Sequence, residues 1–311
     1  MNIYQHITLD AEAQHLLDTG LPDGVTRFIA DRNHPDETQY QLFADCEIAF
    51  GNIPAGWITK STRLKWLQLE SVGYEPYHAI LPEFRQRGVI TNLHGFFGQP
   101  VAESALAGIL SLKRGIDKLT MLKAQKRWSG NALRPTLTLL SGADALIAGG
   151  GSIGQSIRKL LSVFDVQTVV YDISPDVGDI HTPEDFDKAL PDADIVISCL
   201  PETESTKFFF NKRRFSLMRP SAIFVNVGRG GVVDEAVLIR WLNEKRIAGA
   251  VLDVTLAEPL PPEHALWDCP DTIVTQHTGG GSEKELTGKV GIFLDNLERY
   301  ICGKPLTKIV R

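Results

Sequence analysis

The sequence is poor in cysteine: only Cys46, Cys199, Cys269 and Cys302 occur in 311 residues, widely spaced and with no C-x-x-C pair. That excludes a disulfide framework and a cysteine zinc site, and free buried thiols in a reducing compartment are expected. Basic residues are not in excess. Lys and Arg number 32 against 38 Asp and Glu, a formal charge of −6. A nucleic acid or an anionic membrane is therefore not expected as the main partner, though a local cationic patch could still hold a small anion. No apolar run reaches the roughly 18 residues of a membrane span. Met1–Asp10 lacks the cationic and apolar regions of a secretion signal, so a cytoplasmic location is expected. Repeats, low-complexity tracts and a linker rich in Pro, Gly or Ser are also missing.

What is present is ordinary globular composition, 43% apolar and 23% charged, which excludes a disordered, collagen-like or coiled-coil chain. The length suits two domains, because single cores seldom grow beyond roughly 150–250 residues. Short β-rich runs alternate with helix-patterned stretches, the sign of parallel sheets covered by helices. A first series of strands is expected at Asn2–His6, Thr26–Ile29, Glu47–Phe50, Trp66–Leu69 and Gly88–Thr91, with helices such as Ala11–Leu17 and Thr38–Phe43 between them. One long helix is expected over Val101–Lys126. A second series of strands follows at Asp144–Ala148, Thr168–Tyr171, Asp194–Cys199, Ala222–Val225, Gly249–Asp253 and Thr272–Thr275. The spacing of Leu286, Val290, Phe293, Leu294 and Leu297 predicts a final helix over Glu283–Ile301.

The strand ending at Ala148 runs directly into Gly149-Gly150-Gly151-Ser152-Ile153-Gly154, a G-x-G-x-x-G turn that opens a helix. Gly149 permits the tight turn, Gly151 lets backbone approach a pyrophosphate, and Gly154 lets helix pack close on strand. The first N–H groups of the helix, at Ser152 and Ile153, attract phosphate. The next strand ends in Asp172, 18 residues past Gly154, where a carboxylate can accept from the adenosine ribose. Strand, turn, helix, strand and acid in this order predict a dinucleotide site. Asp172 would repel a 2′-phosphate, and no Arg or Lys occurs in Ile173–Ile180, so NAD is expected over NADP.

Three later segments stand at strand ends: Asn226–Glu235, Leu252–Pro259 and Val274–Gly280. In an open parallel sheet, ligands bind beyond those ends. Arg229 lies between Gly228 and Gly230, with room to reach a carboxylate in a two-pronged contact. His277 can exchange a proton near neutrality. Glu258 could accept a hydrogen bond from its imidazole and orient it. Taken singly, these residues are more often a surface ion pair, a structural histidine and a solvated loop glutamate. Their shared placement after a nucleotide motif favours chemistry.

The chain resembles the D-isomer-specific 2-hydroxyacid dehydrogenases. The matching pieces are Leu140-Ser-Gly142, Gly149–Gly154, Cys199-Leu-Pro201, Asn226-Val-Gly-Arg-Gly230, Leu252-Asp253 with Glu258-Pro259, and Leu266-Trp267 leading to His277. The resemblance implies two Rossmann-like or flavodoxin-like doubly wound α/β domains with a cleft between them. A discontinuous substrate domain would span 1–98 and 284–311, and an NAD-binding domain 99–283, with helices near Val101 and Ser282 crossing between them. It makes Arg229, Glu258 and His277 catalytic. It places Leu200, Pro201, Val227 and Asp253 with Gly149, Gly151, Ser152, Ile153, Gly154 and Asp172 around the cofactor, Asp253 near the nicotinamide amide. It gives the N–H groups of Val72 and Gly73, in Ser71-Val72-Gly73, to the substrate carboxylate beside Arg229 and His277. It also implies a homodimer, with Val101–Lys126 contributing to the contact, and no metal.

The implied reaction is NADH-dependent reduction of a small 2-oxo acid to the D-2-hydroxy acid. Gln276 stands where proline is common in the family. Thr255-Leu-Ala257 and Tyr74-Glu75-Pro76-Tyr77 also depart from the usual pattern, and these changes bear on substrate identity rather than on the triad. Phe96 and Phe97 could line the cleft or simply pack between domains. Two alternatives share the fold. A formate-type dehydrogenase would pair the histidine with glutamine, against Glu258. A dinucleotide-sensing corepressor could keep the same residues, though the sequence shows no long disordered interaction tail.

Overall fold

In the computed structural model, which describes residues 1–31 and 37–310, the chain divides into two compact units. One comprises Met1–Phe96 with Ser282–Arg311, the other Phe97–Gly281.

The first unit holds strands β1 (Asn2–Gln5), β2 (Thr26–Ile29), β3 (Ile48–Phe50), β4 (Trp66–Gln68) and β5 (Val89–Thr91). They form one all-parallel sheet in the order β2-β1-β3-β4-β5. Helices α1 (Ala11–Gly20), α2 (Glu37–Ala44), α3 (Ala55–Lys60) and α4 (Leu81–Phe84) lie between the strands. A parallel sheet is buried on both faces, which is why its strands read as apolar runs rather than as alternations. One face packs Tyr4, Phe43, Leu67 and Phe84. The other packs Ile3, Phe50 and Trp66 against the C-terminal helix Glu285–Ile301. There Phe293 stacks on Phe50 at 4.5 Å and on Trp66 at 5.2 Å. Burying one such ring stabilises by about 1.5–3 kcal/mol. Phe96 packs within this unit, against Gly288.

The second unit carries β6 (Asp144–Ala148), β7 (Gln167–Tyr171), β8 (Ile195–Ser198), β9 (Ile223–Asn226), β10 (Gly249–Leu252) and β11 (Thr272–Val274). These six form a parallel sheet in the order β11-β10-β9-β8-β6-β7. The order reverses at β6, so β6 and β8 flank a topological switch point, where open α/β sheets bind ligands. Helix α5 (Gly98–Arg114) lays Val101, Ala102, Ala105 and Ile109 on one face of the sheet. Phe97, at its start, lies against Gly280. Helix α6 (Ile116–Ala124) follows, and α7 (Ser152–Ser162), α8 (Pro183–Ala189), α9 (Lys212–Leu217) and α10 (Glu235–Asn243) complete the unit.

Two expectations need correction. Val101–Lys126 is not one helix, because Gly115 adopts a left-handed conformation (φ +64°) that ends α5 and starts α6 on a new axis. The thiols are free but not uniformly buried. Cys302 is exposed and Cys199 half-buried by surface area, while Cys46 and Cys269 are buried. Burial pushes the Cys46 thiol up to about 12, with the Asp45 carboxylate adding to the shift.

Candidate active site

All six strands of the second sheet are parallel, so the turns that follow them share one edge. Gly149 follows β6, Asp172 follows β7, Leu200 and Pro201 follow β8, and Val227 and Arg229 follow β9. Asp253 to Glu258 follow β10, and Thr275 to His277 follow β11. The sequence-predicted residues of this unit therefore gather along one edge of one sheet.

The glycine turn has the geometry of a phosphate cradle. Gly149 sits at φ +100°, and a Cβ there would lie 3.0 Å from the Cys199 carbonyl across the switch point. A Cβ on Gly154 would lie 2.0 Å from the Gly149 carbonyl oxygen, so only glycine lets α7 start this close to β6. Nothing lies within 4 Å of where a Gly151 Cβ would project. That open position, at the N-terminus of an 11-residue helix whose first N–H groups lack helical partners, fits a dinucleotide pyrophosphate. The Asp172 carboxylate accepts from the Gly150 N–H at 2.8 Å and from the Ser174 N–H at 2.9 Å. Those two bonds fix it beside the turn and leave lone pairs for ribose hydroxyls.

Glu258 and His277 form a pair. His277 Nδ1 lies 2.7 Å from Glu258 Oε2, and the other carboxylate oxygen accepts from the Thr255 N–H at 3.0 Å. The side chains are 51% and 38% exposed. Among the described residues, Nε2 of His277 has no hydrogen-bond partner. The loop is held from beneath. Asp253 is buried, its Oδ1 accepting from Thr275 Oγ1 at 2.6 Å and from the Gly279 N–H at 3.0 Å, while its carbonyl accepts from the His277 N–H at 2.6 Å. Gln276 (φ +55°) and His277 (φ +57°) both adopt left-handed conformations, which cost non-glycine residues of order 1–3 kcal/mol each.

Arg229 is placed by close backbone packing. A Cβ on Gly230 would sit 1.9 Å from the Thr255 carbonyl oxygen, so the arginine turn lies directly against the loop that carries Glu258. The Asn226 side chain ties that turn, donating to the Arg229 carbonyl at 3.0 Å and accepting from the Gly228 N–H at 3.2 Å. Arg229 Nη1 donates to the Gly228 carbonyl at 2.9 Å. A cavity of about 400 Å³ opens beside the pair, lined by Asp253, Thr255, Glu258, Pro259, Leu260, Trp267, Val274, Gln276 and His277. Arg229 is not among its walls.

Sequence reasoning missed Glu235 and His264. Glu235 Oε2 accepts from the Leu256 N–H at 3.0 Å, and its Oε1 lies 3.2 Å from His264 Nε2. Together they anchor the loop between Asp253 and Glu258 from its far side. Nothing in the sequence marks the two as partners, since they belong to no common motif.

In the first unit, Val72 and Gly73 lie in the half-exposed loop after β4. Among the described residues, no three His, Cys, Asp or Glu side chains cluster as metal ligands would, and no helix is long and apolar enough to cross a membrane.

Residues 106–279 match the family model of the D-isomer specific 2-hydroxyacid dehydrogenase NAD binding domain. A glyoxylate reductase of Thermofilum pendens is 33% identical over 234 residues, covering 72% of this chain and 68% of that protein. A glyoxylate/hydroxypyruvate reductase A of Arabidopsis thaliana is 30% identical over 263 residues, covering 82% of each. The crystal structure of a D-isomer specific 2-hydroxyacid dehydrogenase family protein from Aeromonas salmonicida superposes with a TM-score of 0.84 at 26% identity, covering 100% of this chain and 98% of that one.

Proposed function

This chain belongs to the D-isomer specific 2-hydroxyacid dehydrogenases and is an oxidoreductase with an NAD(P)-binding domain, and from that premise we propose that it reduces a small 2-oxo acid to the D-2-hydroxy acid, with NADH preferred over NADPH. The observation that carries the reading is the 2.7 Å contact between Glu258 and His277, made at the same sheet edge as the glycine turn. When bound, NADH supplies the hydride. Arg229 binds the substrate carboxylate and polarises the keto oxygen, where negative charge grows during reduction. Glu258 holds Nδ1 of His277, so the protonated imidazole presents its Nε2 proton to that oxygen. Val72 and Gly73 supply N–H groups to the carboxylate. Asp253, by its bonds to Thr275 and Gly279, keeps the His277 turn in place.

The open position at Gly151 and the carboxylate of Asp172 support the cofactor assignment. Asp172 disfavours a 2′-phosphate, and residues 173–180 supply no Arg or Lys to offset it. Leu200, Pro201 and Val227, at the ends of β8 and β9, would line the same crevice with Ser152 and Ile153. A homodimer is part of the proposal. Helix α6 buries none of its residues in its own unit, and Ile116, Leu119, Met121 and the 96% exposed Trp128 form an apolar stretch suited to a second copy.

The test is NADH and NADPH oxidation with glyoxylate, hydroxypyruvate, pyruvate and a bulkier 2-oxo acid. Turnover with at least one acid and a lower KM for NADH is expected. NADH binding without turnover on any acid would instead favour a dinucleotide-sensing protein, and tighter NADPH binding would overturn the role given to Asp172.

A further inference from the structure

The loop Ser71–Tyr74 has an unusual division of its backbone groups. Every carbonyl in it is engaged from within the first unit. That of Ser71 accepts from the Leu93 N–H at 3.0 Å, and that of Val72 from Asn92 Nδ2 at 2.8 Å. That of Gly73 accepts from Ser71 Oγ at 2.8 Å, and that of Tyr74 from the Tyr77 N–H at 2.9 Å. Among the described residues, none of the N–H groups of Ser71, Val72, Gly73 and Tyr74 donates a hydrogen bond within the protein. A loop with its acceptors tied inward and successive donors left over is a backbone anion site.

Among the described residues, Asn92 is the one side chain from outside this loop that fixes a carbonyl in it. It is buried just past the end of β5, and both ends of its amide are used: Nδ2 on the Val72 carbonyl, Oδ1 accepting from the His94 N–H at 3.0 Å. Its backbone is held equally firmly. Its N–H donates to the Lys308 carbonyl at 3.0 Å, and its carbonyl accepts from Gln68 Nε2 at 3.3 Å. Gln68 Oε1 in turn accepts from Thr91 Oγ1 at 2.8 Å and from Asn296 Nδ2 on the C-terminal helix at 3.3 Å. Gln68, Thr91 and Asn296 are fully buried, so this network is rigid and costly to leave half satisfied.

We propose that Asn92 is a positioning residue for substrate binding: by holding the Val72 carbonyl inward, it turns the N–H of the same peptide, that of Gly73, outward to receive the substrate carboxylate, beside the Val72 N–H, whose own peptide is held by the Leu93 N–H on the Ser71 carbonyl. This rests on the reading that the enzyme takes 2-oxo acids. The role is one of binding in ground and transition states alike, so its loss raises KM and leaves kcat nearly unchanged.

The test compares the NADH-saturated full-length enzyme with Asn92→Asp and Asn92→Ala. Asn92→Asp keeps the shape and the acceptor for His94 but removes the donor to Val72. Both variants are expected to raise the KM for the 2-oxo acid about five- to tenfold, the value of one hydrogen bond, with kcat and the NADH dissociation constant near wild type. A merely structural asparagine would lower the melting temperature and the active fraction without moving KM. If neither variant folds, Gly73→Pro, which deletes the N–H that Asn92 turns outward, must raise KM in the same direction, and an unchanged KM there overturns the proposal. An active wild type whose KM survives both Asn92 substitutions overturns the role of Asn92 alone. A wild type inert toward every 2-oxo acid overturns the underlying reading, and the proposal with it.

Discussion

Two Glu–His pairs sit in the same unit, and they are built for opposite ends. In the pair Glu235–His264 both ring nitrogens are occupied. Nδ1 accepts from the Leu266 N–H at 3.3 Å, which leaves the proton on Nε2 to face Glu235 at 3.2 Å. Those side chains are 10% and 25% exposed, and the second carboxylate oxygen is tied to Leu256. In Glu258–His277, among the described residues, only Nδ1 is engaged, on side chains two to four times more exposed. Identical residue types thus give a staple in one place and, in the proposed reaction, a proton donor in the other. The difference lies in which nitrogen is left over, not in the presence of a pair.

Exchanging each carboxylate for its amide breaks this comparison most sharply. Glu258→Gln should lower kcat by roughly 100-fold or more, because the imidazole loses the partner that orients its charged form, with little change in thermal stability. Glu235→Gln should leave kcat near wild type and cost about 1 kcal/mol of stability through a weakened bond to His264. Paired kinetics and denaturant unfolding check both, and equal losses of kcat would erase the distinction.

The buried Asp187–Arg214 pair extends the series. Asp187 accepts from Arg214 Nε at 2.7 Å and from Arg213 Nη1 at 2.5 Å, and Arg214 is itself buried over the Phe209 ring at 3.7 Å. Burial would raise the Asp187 carboxyl, but the hydrogen bonds and charges of Arg214 and Arg213 win and hold it below the ordinary carboxylate range. A lowered folded-state value stabilises fully above that range, and the stabilisation is lost as pH falls through the lowered value. Asp187→Asn should cost about 3 kcal/mol at neutral pH by stranding a buried guanidinium. In acid the gap from wild type should narrow, as unfolding curves at several pH values will read.

A smaller change is expected at the turn that carries His277. Gln276→Gly removes a side chain from a left-handed position (φ +55°) and should stabilise by about 0.5–1 kcal/mol, measured as a higher denaturant midpoint.

Much of this was readable from residues alone. The sheets were legible because parallel strands covered on both faces become uninterrupted β-rich runs, as in Ala145–Ala148 and Ile195–Ser198. The glycine turn was legible because its residues serve the backbone itself, so spacing and geometry coincide. The break at Gly115 was hidden, since helical periodicity on either side of it continues in the one-dimensional pattern. The Glu235–His264 pair and the Asn92 contact were hidden for another reason. Each joins segments that only the folded sheet edges bring together, and a lone polar residue after a strand carries no mark of its partner. The left-handed backbone at Gln276 and His277 left no trace either, because neither residue type announces it.

The most direct measurement is single-turnover NADH oxidation by glyoxylate, or by whichever 2-oxo acid the wild type uses best, in His277→Ala and His264→Ala side by side. Hydride transfer should slow at least roughly 100-fold in His277→Ala with NADH binding intact, and stay near wild type in whatever fraction of His264→Ala is folded. Near-normal transfer in His277→Ala, or an equal collapse in both variants, would contradict it.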